Sequence, residues 1–235
     1  MFVFFILCLN LVFGDFSLSN EEKVDELGIA SVYPILSKLD KQSVSIWYLH
    51  GRYPAKWDRV KDDEFEFEDA LNEAYEQLKK ESKELYDHYK KETGVLNLNA
   101  KFKKYDFSNQ CFPLEVMDKN SFVDFYGHRM VNNAKLIFNN TNPKGYCLPM
   151  DKKTAKGFVK SRKHDNWFGD KIDRRVTARY YYKIDKIKID EGRLNSNRPS
   201  SIYTPNIAIN GKIEKLEIID PYTKKILAIY HNKKQ

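Results

Sequence analysis

The sequence predicts an α+β protein: N-terminal helices followed by a mainly antiparallel β-sheet with one or two inserted short helices. Three observations lead there. From 62 to 89, "DDEFEFEDALNEAYEQLKKESKELYDHY", apolar residues recur at three-to-four spacing. Beyond Gly94 the period drops to two, and "RRVTARYYYKIDKIKID" at 174–190 keeps that alternation over five positions. Helical and strand patterns are segregated along the chain rather than alternating as βαβ units.

The chain opens on "MFVFFILCLNLVFG", which carries no charge and is almost continuously apolar over 2–13. That run is too short for a spanning helix, which needs about 20 residues, but it suits the core of a secretory leader. Val12 and Gly14 supply small residues before a cut at Asp15. The expected organisation is therefore a signal peptide at 1–14, an acidic helical part at 15–92, and a basic β-rich part at 93–235 packed with it as one domain. No Lys or Arg precedes the apolar run, so either the α-amino group supplies the positive charge or the true start lies upstream; a buried N-terminal strand or helix is the alternative to a leader. Cys8 lacks the small residues that precede a lipidated cysteine.

Ser19 with Glu22 three residues later reads as a capping box opening the first helix, which Pro34 should end. The apolar cluster "VSIWYLHGRY" closes at Gly51 and Pro54. In the next helix Phe67, Leu71, Tyr75 and Leu78 form the inward stripe, with acids in the first turns and lysines in the last, complementing the helix dipole. That placement accounts for the acidic run without a metal. Leu96, Leu98, Ala100 and Phe102 then alternate as a half-buried strand. "KNSFVDFYGHR" reads as helical, "AKLIF" as a strand, "NNTNPKG" as turn, and "MDKKTAKGFVKSR" as a short basic helix capped by Asp151.

At 174–190, Val176, Ala178, Tyr180, Tyr182 and Ile184 share one parity, with the charges and Tyr181 on the other. The apolar parity slips to Ile187 and Ile189, which places a bulge or bend near Asp185 and Lys186. A stacking platform for bases would put aromatics and basic residues on one face, so the run is a strand of sheet. Asn210-Gly211 is either a hairpin turn or a bulge in one long strand, with the bulge preferred. Asp220-Pro221 turns the last two strands into an antiparallel hairpin. Between strands, the polar, proline-bearing "NSNRPSSIYTPN" at 195–206 is the longest expected loop.

Charge is unevenly placed: nineteen acids against twelve Lys/Arg over 15–92, and fourteen against twenty-eight over 93–235. The densest cluster spans 152–179. Its Lys160, Arg162, Lys163, Arg174, Arg175 and Arg179 are the candidate anion-binding residues, able to hold phosphates of nucleic acid or a membrane surface; the alternative is a solvated face of a helix and strand start.

Removing the leader leaves Cys111 and Cys147, an even pair suited to a structural disulfide in an oxidising compartment. Separate buried thiols are the alternative. A bridge would stabilise the fold by roughly 3–4 kcal/mol on the chain-entropy account. Paired with His128 either thiol could act as a nucleophile, but a disulfide would consume both. No two of the ten glycines are two apart, so nucleotide-binding glycine loops and a nucleophile elbow are absent. The five histidines show no zinc spacing. No metal, cofactor or catalytic residue is expected.

A leader, an early helical part, "KKYDF" at 103–107, "YCLPM", the long strand in "VTARYYYKIDKI" and the final "EKLEIIDPYTKKILAIY" together resemble an uncharacterised family of exported proteobacterial proteins, classed as a domain of unknown function. The resemblance implies export and an α+β fold, and brings no activity. The expected role is a non-catalytic envelope or interaction protein, its partner an anionic surface or envelope component, with no stable membrane span after leader cleavage. An anion-binding module and an envelope hydrolase with a site assembled only in the fold are the alternatives.

Overall fold

The computed structural model describes residues 15–142, 144–164, 171–194 and 204–232. The expected leader at 1–14 and most of the expected loop at 195–206 lie outside them. A helical layer comes first: α1 (Glu21–Val32), a tight helical turn at Tyr33–Lys38, α2 (Lys41–Arg52), α3 (Pro54–Val60) and α4 (Glu64–Lys91). Strands follow, with β1 (Asp15–Phe16) ahead of the helices and then β2 (Thr93–Phe102), β3 (Cys111–Glu115), β4 (Phe122–Phe125), β5 (Ala134–Phe138) and β6 (Cys147–Pro149). After α5 (Lys152–Lys160) come β7 (Lys163–His164), β8 (Lys171–Ile172), β9 (Arg175–Ile189), α6 (Glu191–Leu194), β10 (Ile207–Ile219) and β11 (Ile226–His231). The class is α+β, as the segregated periodicities require.

The cap of α1 falls one residue later than expected. Asn20, not Ser19, accepts from the Glu22 amide at 2.8 Å, because the Ser19 hydroxyl is engaged with Ser17 at 2.8 Å. Asp63 caps α4 through the Phe65 and Glu66 amides, and Asp151 caps α5 through Lys153 and Thr154. Each cap satisfies amides that the first helical turn leaves unpaired.

The main sheet runs β4-β5-β10-β9-β2-β3-β6, with β1 added to β2 and β11 to β10. Most pairings are antiparallel; β1–β2 and β5–β10 are parallel. In β9, Val176, Ala178, Tyr180, Tyr182 and Ile184 are all buried. Asn210 pairs with Lys186 and Gly211 with Ile184, which leaves Asp185 as the extra residue of a bulge. The bulge resets the inward parity to Ile187 and Ile189. β10 runs unbroken through Asn210-Gly211, so no hairpin forms there. Tyr181 is the outward aromatic, with the Lys215 ammonium 3.7 Å above its ring.

One expected helix is a strand. The segment around 122–125 forms β4, antiparallel to β5 from Phe122↔Ile137 to Phe125↔Ala134. Val123 and Phe125 pack on the core while Phe122 and Asp124 are exposed, a period-2 split that pairing with β5 imposes over local helix propensity.

A single hydrophobic cluster joins the helices to the sheet, with Tyr48, Tyr89, Tyr180, Tyr182, Phe102, Phe112 and Phe138 among its fully buried side chains. The chain between β4 and β5 is pinned into it by Asp25 of α1. One carboxylate oxygen accepts from the amides of His128 (3.2 Å) and Arg129 (2.8 Å), the other from Met130 and Val131 (both 2.9 Å). The Trp47 indole donates to the Met130 carbonyl at 3.0 Å. This seat requires glycine on both helices: a Cβ at Gly28 would lie 2.2 Å from a Val131 methyl, and one at Gly51 would lie 2.0 Å from the Met130 sulfur. Cys111 and Cys147 form a disulfide across β3 and β6, with Cα atoms 5.7 Å apart.

Asp25→Ala leaves four amides without their acceptor in a buried seat. Denaturant titration should show a loss of about 3 kcal/mol or more, with the secondary structure of the folded state retained.

Candidate anion-binding cleft

β2 and β9 end side by side, and in their shared register Lys101 faces Arg175. Like charges directly opposite on a sheet face repel, so the strand end gathers positive potential. The Phe102 amide continues the ladder onto the Arg174 carbonyl at 3.0 Å. Beyond it, β7 and β8 form a small antiparallel pair that places His164 across from Lys171. The Asp173 amide donates to the Arg162 carbonyl at 2.9 Å and extends the pairing of these two strands by one position.

Between these elements lies an open cleft of about 590 Å³. Lys101, His164, Lys171, Arg174 and Arg175 line it, with Ile172 on its wall and Asp173 as the single carboxylate among the described lining residues. That carboxylate is already engaged. The Arg175 Nη2 lies 2.7 Å from it, the Nε 3.0 Å, and the Tyr222 hydroxyl also donates to it. The Arg175 guanidinium, with Tyr222 in support, holds the Asp173 carboxyl well below the usual carboxylate range. With Asp173 and Arg175 paired, Lys101, Lys171 and Arg174 carry the remaining positive charge. Arg174 is oriented by a 2.6 Å hydrogen bond to the Lys103 carbonyl and by the Phe102 ring, 5.3 Å from its guanidinium.

Of the expected anion-binding residues, Arg174 and Arg175 line the cleft. Arg162 does not reach it: the residue is 4 % exposed and its guanidinium turns inward. It donates to the Arg175 carbonyl at 2.8 Å and to Asp220 at 2.5 Å, and packs 4.4 Å from the Phe158 ring centroid. A charge so enclosed serves the base of the cleft rather than its opening. Arg179 lies further along β9, paired with Asn97 at 2.9 Å and 3.6 Å from Glu217. Lys160 is exposed on α5 and Lys163 on β7. The cleft adds Lys101, His164 and Lys171. Lys171 sits in the basic run itself, whereas Lys101 is brought in by strand register from far up the chain.

The described cysteines are both in the disulfide, so a thiol nucleophile beside His128 is ruled out; His128 is exposed, with its ring 3.8 Å from Glu21. Among the described residues no group of three or more His, Cys, Asp or Glu could hold a metal ion, and no helix is long and apolar enough to cross a membrane. What the cleft offers is a set of fixed cationic donors suited to an oxyanion.

The pair beneath the cleft has a pH signature. Burial alone would raise the Asp220 pKa, but the Thr223 and Tyr222 amides and the Arg162 guanidinium hold it below its ordinary value. A carboxyl with a depressed folded pKa contributes its stability fully above the unfolded value near 4 and loses it as pH falls further. Asp220→Asn should therefore be less stable than wild type at neutral pH. The gap should narrow in melts below about pH 4, the unfolded value.

No curated protein and no solved structure matches this chain. Residues 42–161, from α2 through α5, match the family described as a domain of unknown function (DUF4852). Of the residues lining the cleft only Lys101 falls within that segment. The match spans just over half of the chain, and on it the chain belongs to the DUF4852 family.

Proposed function

We infer that this is an exported, non-catalytic interaction protein whose basic cleft binds an anionic group carrying phosphate or sulfate. The observation that carries the reading is the convergence of Lys101, Lys171 and Arg174 on one open cleft whose carboxylate, Asp173, is already matched by Arg175 and Tyr222. Point charges with a guanidinium among them suit an oxyanion better than a neutral ligand. Export is supported by the apolar run at 2–13 and by a disulfide suited to an oxidising compartment.

Binding to heparin, followed by fluorescence polarisation across rising salt, tests the cleft. Affinity should fall linearly on a double logarithmic plot. Lys171→Glu with Arg174→Glu should weaken binding and reduce the salt slope by about one per contact removed. Absent or salt-insensitive binding would remove the reading. The intact mass of native protein from fractionated cells, with and without thiol alkylation, tests export. The expected species begins at Asp15, lies outside the cytosol, and takes up alkylating reagent only after reduction; a full-length cytosolic protein would refute export.

A further inference from the structure

α5 turns a stripe of lysines to solvent. Ala155, Phe158 and Val159 pack on the core, and Lys152, Lys156 and Lys160 at i, i+4 and i+8 run along the side next to that face with Lys153 beside them, all four exposed. The helix contains no acid, and like charges at this spacing destabilise it. The carboxylate at its start, Asp151, is occupied by the Lys153 and Thr154 amides and the Thr154 hydroxyl.

The turn at 106–110 lies against the start of this stripe, with the Lys152 ammonium 5.9 Å from the Phe107 ring centroid. Phe107 is 70 % exposed, and everything around it is fixed. The Asp106 carboxylate accepts from the Ser108 and Asn109 amides and from the Asn109 side chain. The Asp106 backbone exchanges hydrogen bonds of 2.8 and 3.2 Å with Cys111, which the disulfide anchors. Tyr105 meets the Phe107 ring edge-on at 5.0 Å and donates its hydroxyl to the Met150 carbonyl at 2.7 Å. A phenyl ring held at a turn apex gains nothing from water. Exposed Lys104 and Lys152 flank it, with Lys103 beside Glu115 at 3.9 Å and the Asp106 carboxylate taken up inside the turn, so the ring has the pattern of an interfacial anchor, apolar at the tip with cations at its sides.

We propose that the turn at 106–110 and α5 together dock the protein on an anionic lipid bilayer, Phe107 entering the acyl boundary and Lys152, Lys156 and Lys160 meeting the headgroups. A single-stranded nucleic acid is the poorer fit, since stacking platforms set aromatics along a basic track. Phe107 is instead a lone ring at an apex, backed by Tyr105. The proposal uses none of the residues lining the cleft and stands independently of the anion-binding reading.

The test is flotation of the purified protein with vesicles of phosphatidylcholine alone and with phosphatidylglycerol added. Binding is expected only with phosphatidylglycerol present. Each Lys→Gln change on the stripe should weaken partition about fivefold. Phe107→Ser, at an exposed apex where folding is undisturbed, should weaken it about tenfold. Lys171→Glu with Arg174→Glu should leave that dependence on Phe107 intact whether or not the same variant loses heparin. The proposal is overturned by no binding, by binding indifferent to Phe107, by binding abolished only in the cleft variant, or by Phe107-dependent affinity for single-stranded DNA in place of vesicles.

Discussion

Because β9 pairs with β10 along one side and β2 along the other, its alternation decides what every neighbouring strand can do. The fifteen residues of β9 commit one face to the core through Tyr180 and Tyr182, and so commit Arg175 and Arg179 to the other. The register that buries Leu96 and Ala100 of β2 against the same core also sets Lys101 opposite Arg175. A one-residue slip would exchange the two faces entirely. The cleft is thus a by-product of core packing carried to the strand end, and it is positioned as rigidly as the core itself. The bulge at Asp185 lies at the far end of β9, so the change of parity there leaves the cleft untouched.

Two buried carboxylates do the polar work that holds the layers together, by different means. Among the described residues Asp25 meets no cation in its seat; four backbone amides converge on it and turn the link between β4 and β5 into a plug between α1 and α2. Asp220 takes two amides from its own hairpin turn and the guanidinium of Arg162, joining the end of α5 to the turn between β10 and β11. Arg162 also holds the Arg175 carbonyl, so the wall of the cleft is fixed from beneath by a cation that never faces its opening. In both places the lone pairs of the buried carboxylate are satisfied by backbone amides, and at Asp220 a guanidinium matches its charge as well.

What the sequence made legible follows the range of each interaction. The α4 stripe, the Asp151 cap, the parity of β9 with its bulge, and the final hairpin are written in residues a few positions apart, and all were readable. The disulfide was readable because, with Cys8 placed in the expected leader, the other two cysteines were left to pair. β4 was not, since a four-residue segment as short as Phe122–Phe125 takes whichever conformation its neighbour offers, and β5 is the neighbour. The inward turn of Arg162 was equally hidden: its partners Asp220 and Phe158 lie on other elements, and a basic run looks the same whether one member is buried or none. Lys101 entered the cleft only through strand register.

The order of strands also dictates an order of assembly. α1 to α4 precede every strand but β1 in sequence and contact one another without any strand, so they can associate once α4 exists. The sheet is different, because β10 lies between β5 and β9 yet is the penultimate strand in sequence. The covalent ring closed by Cys111 and Cys147 starts at β3 near one edge, reaches the opposite edge in β4 and β5, and returns to β6. Until β10 arrives, β5 lacks its parallel partner, so β4 and β5 are held through the seat of their link on α1 and α2 while the ring spans a gap in the sheet. Topologies of this kind, rich in contacts between distant residues, fold slowly. An emerging chain would thus hold β2, β3 and β6 as one part of the sheet and β4 with β5 as another, the Cys111–Cys147 bridge able to close on the β3–β6 pair before β10 joins the two parts.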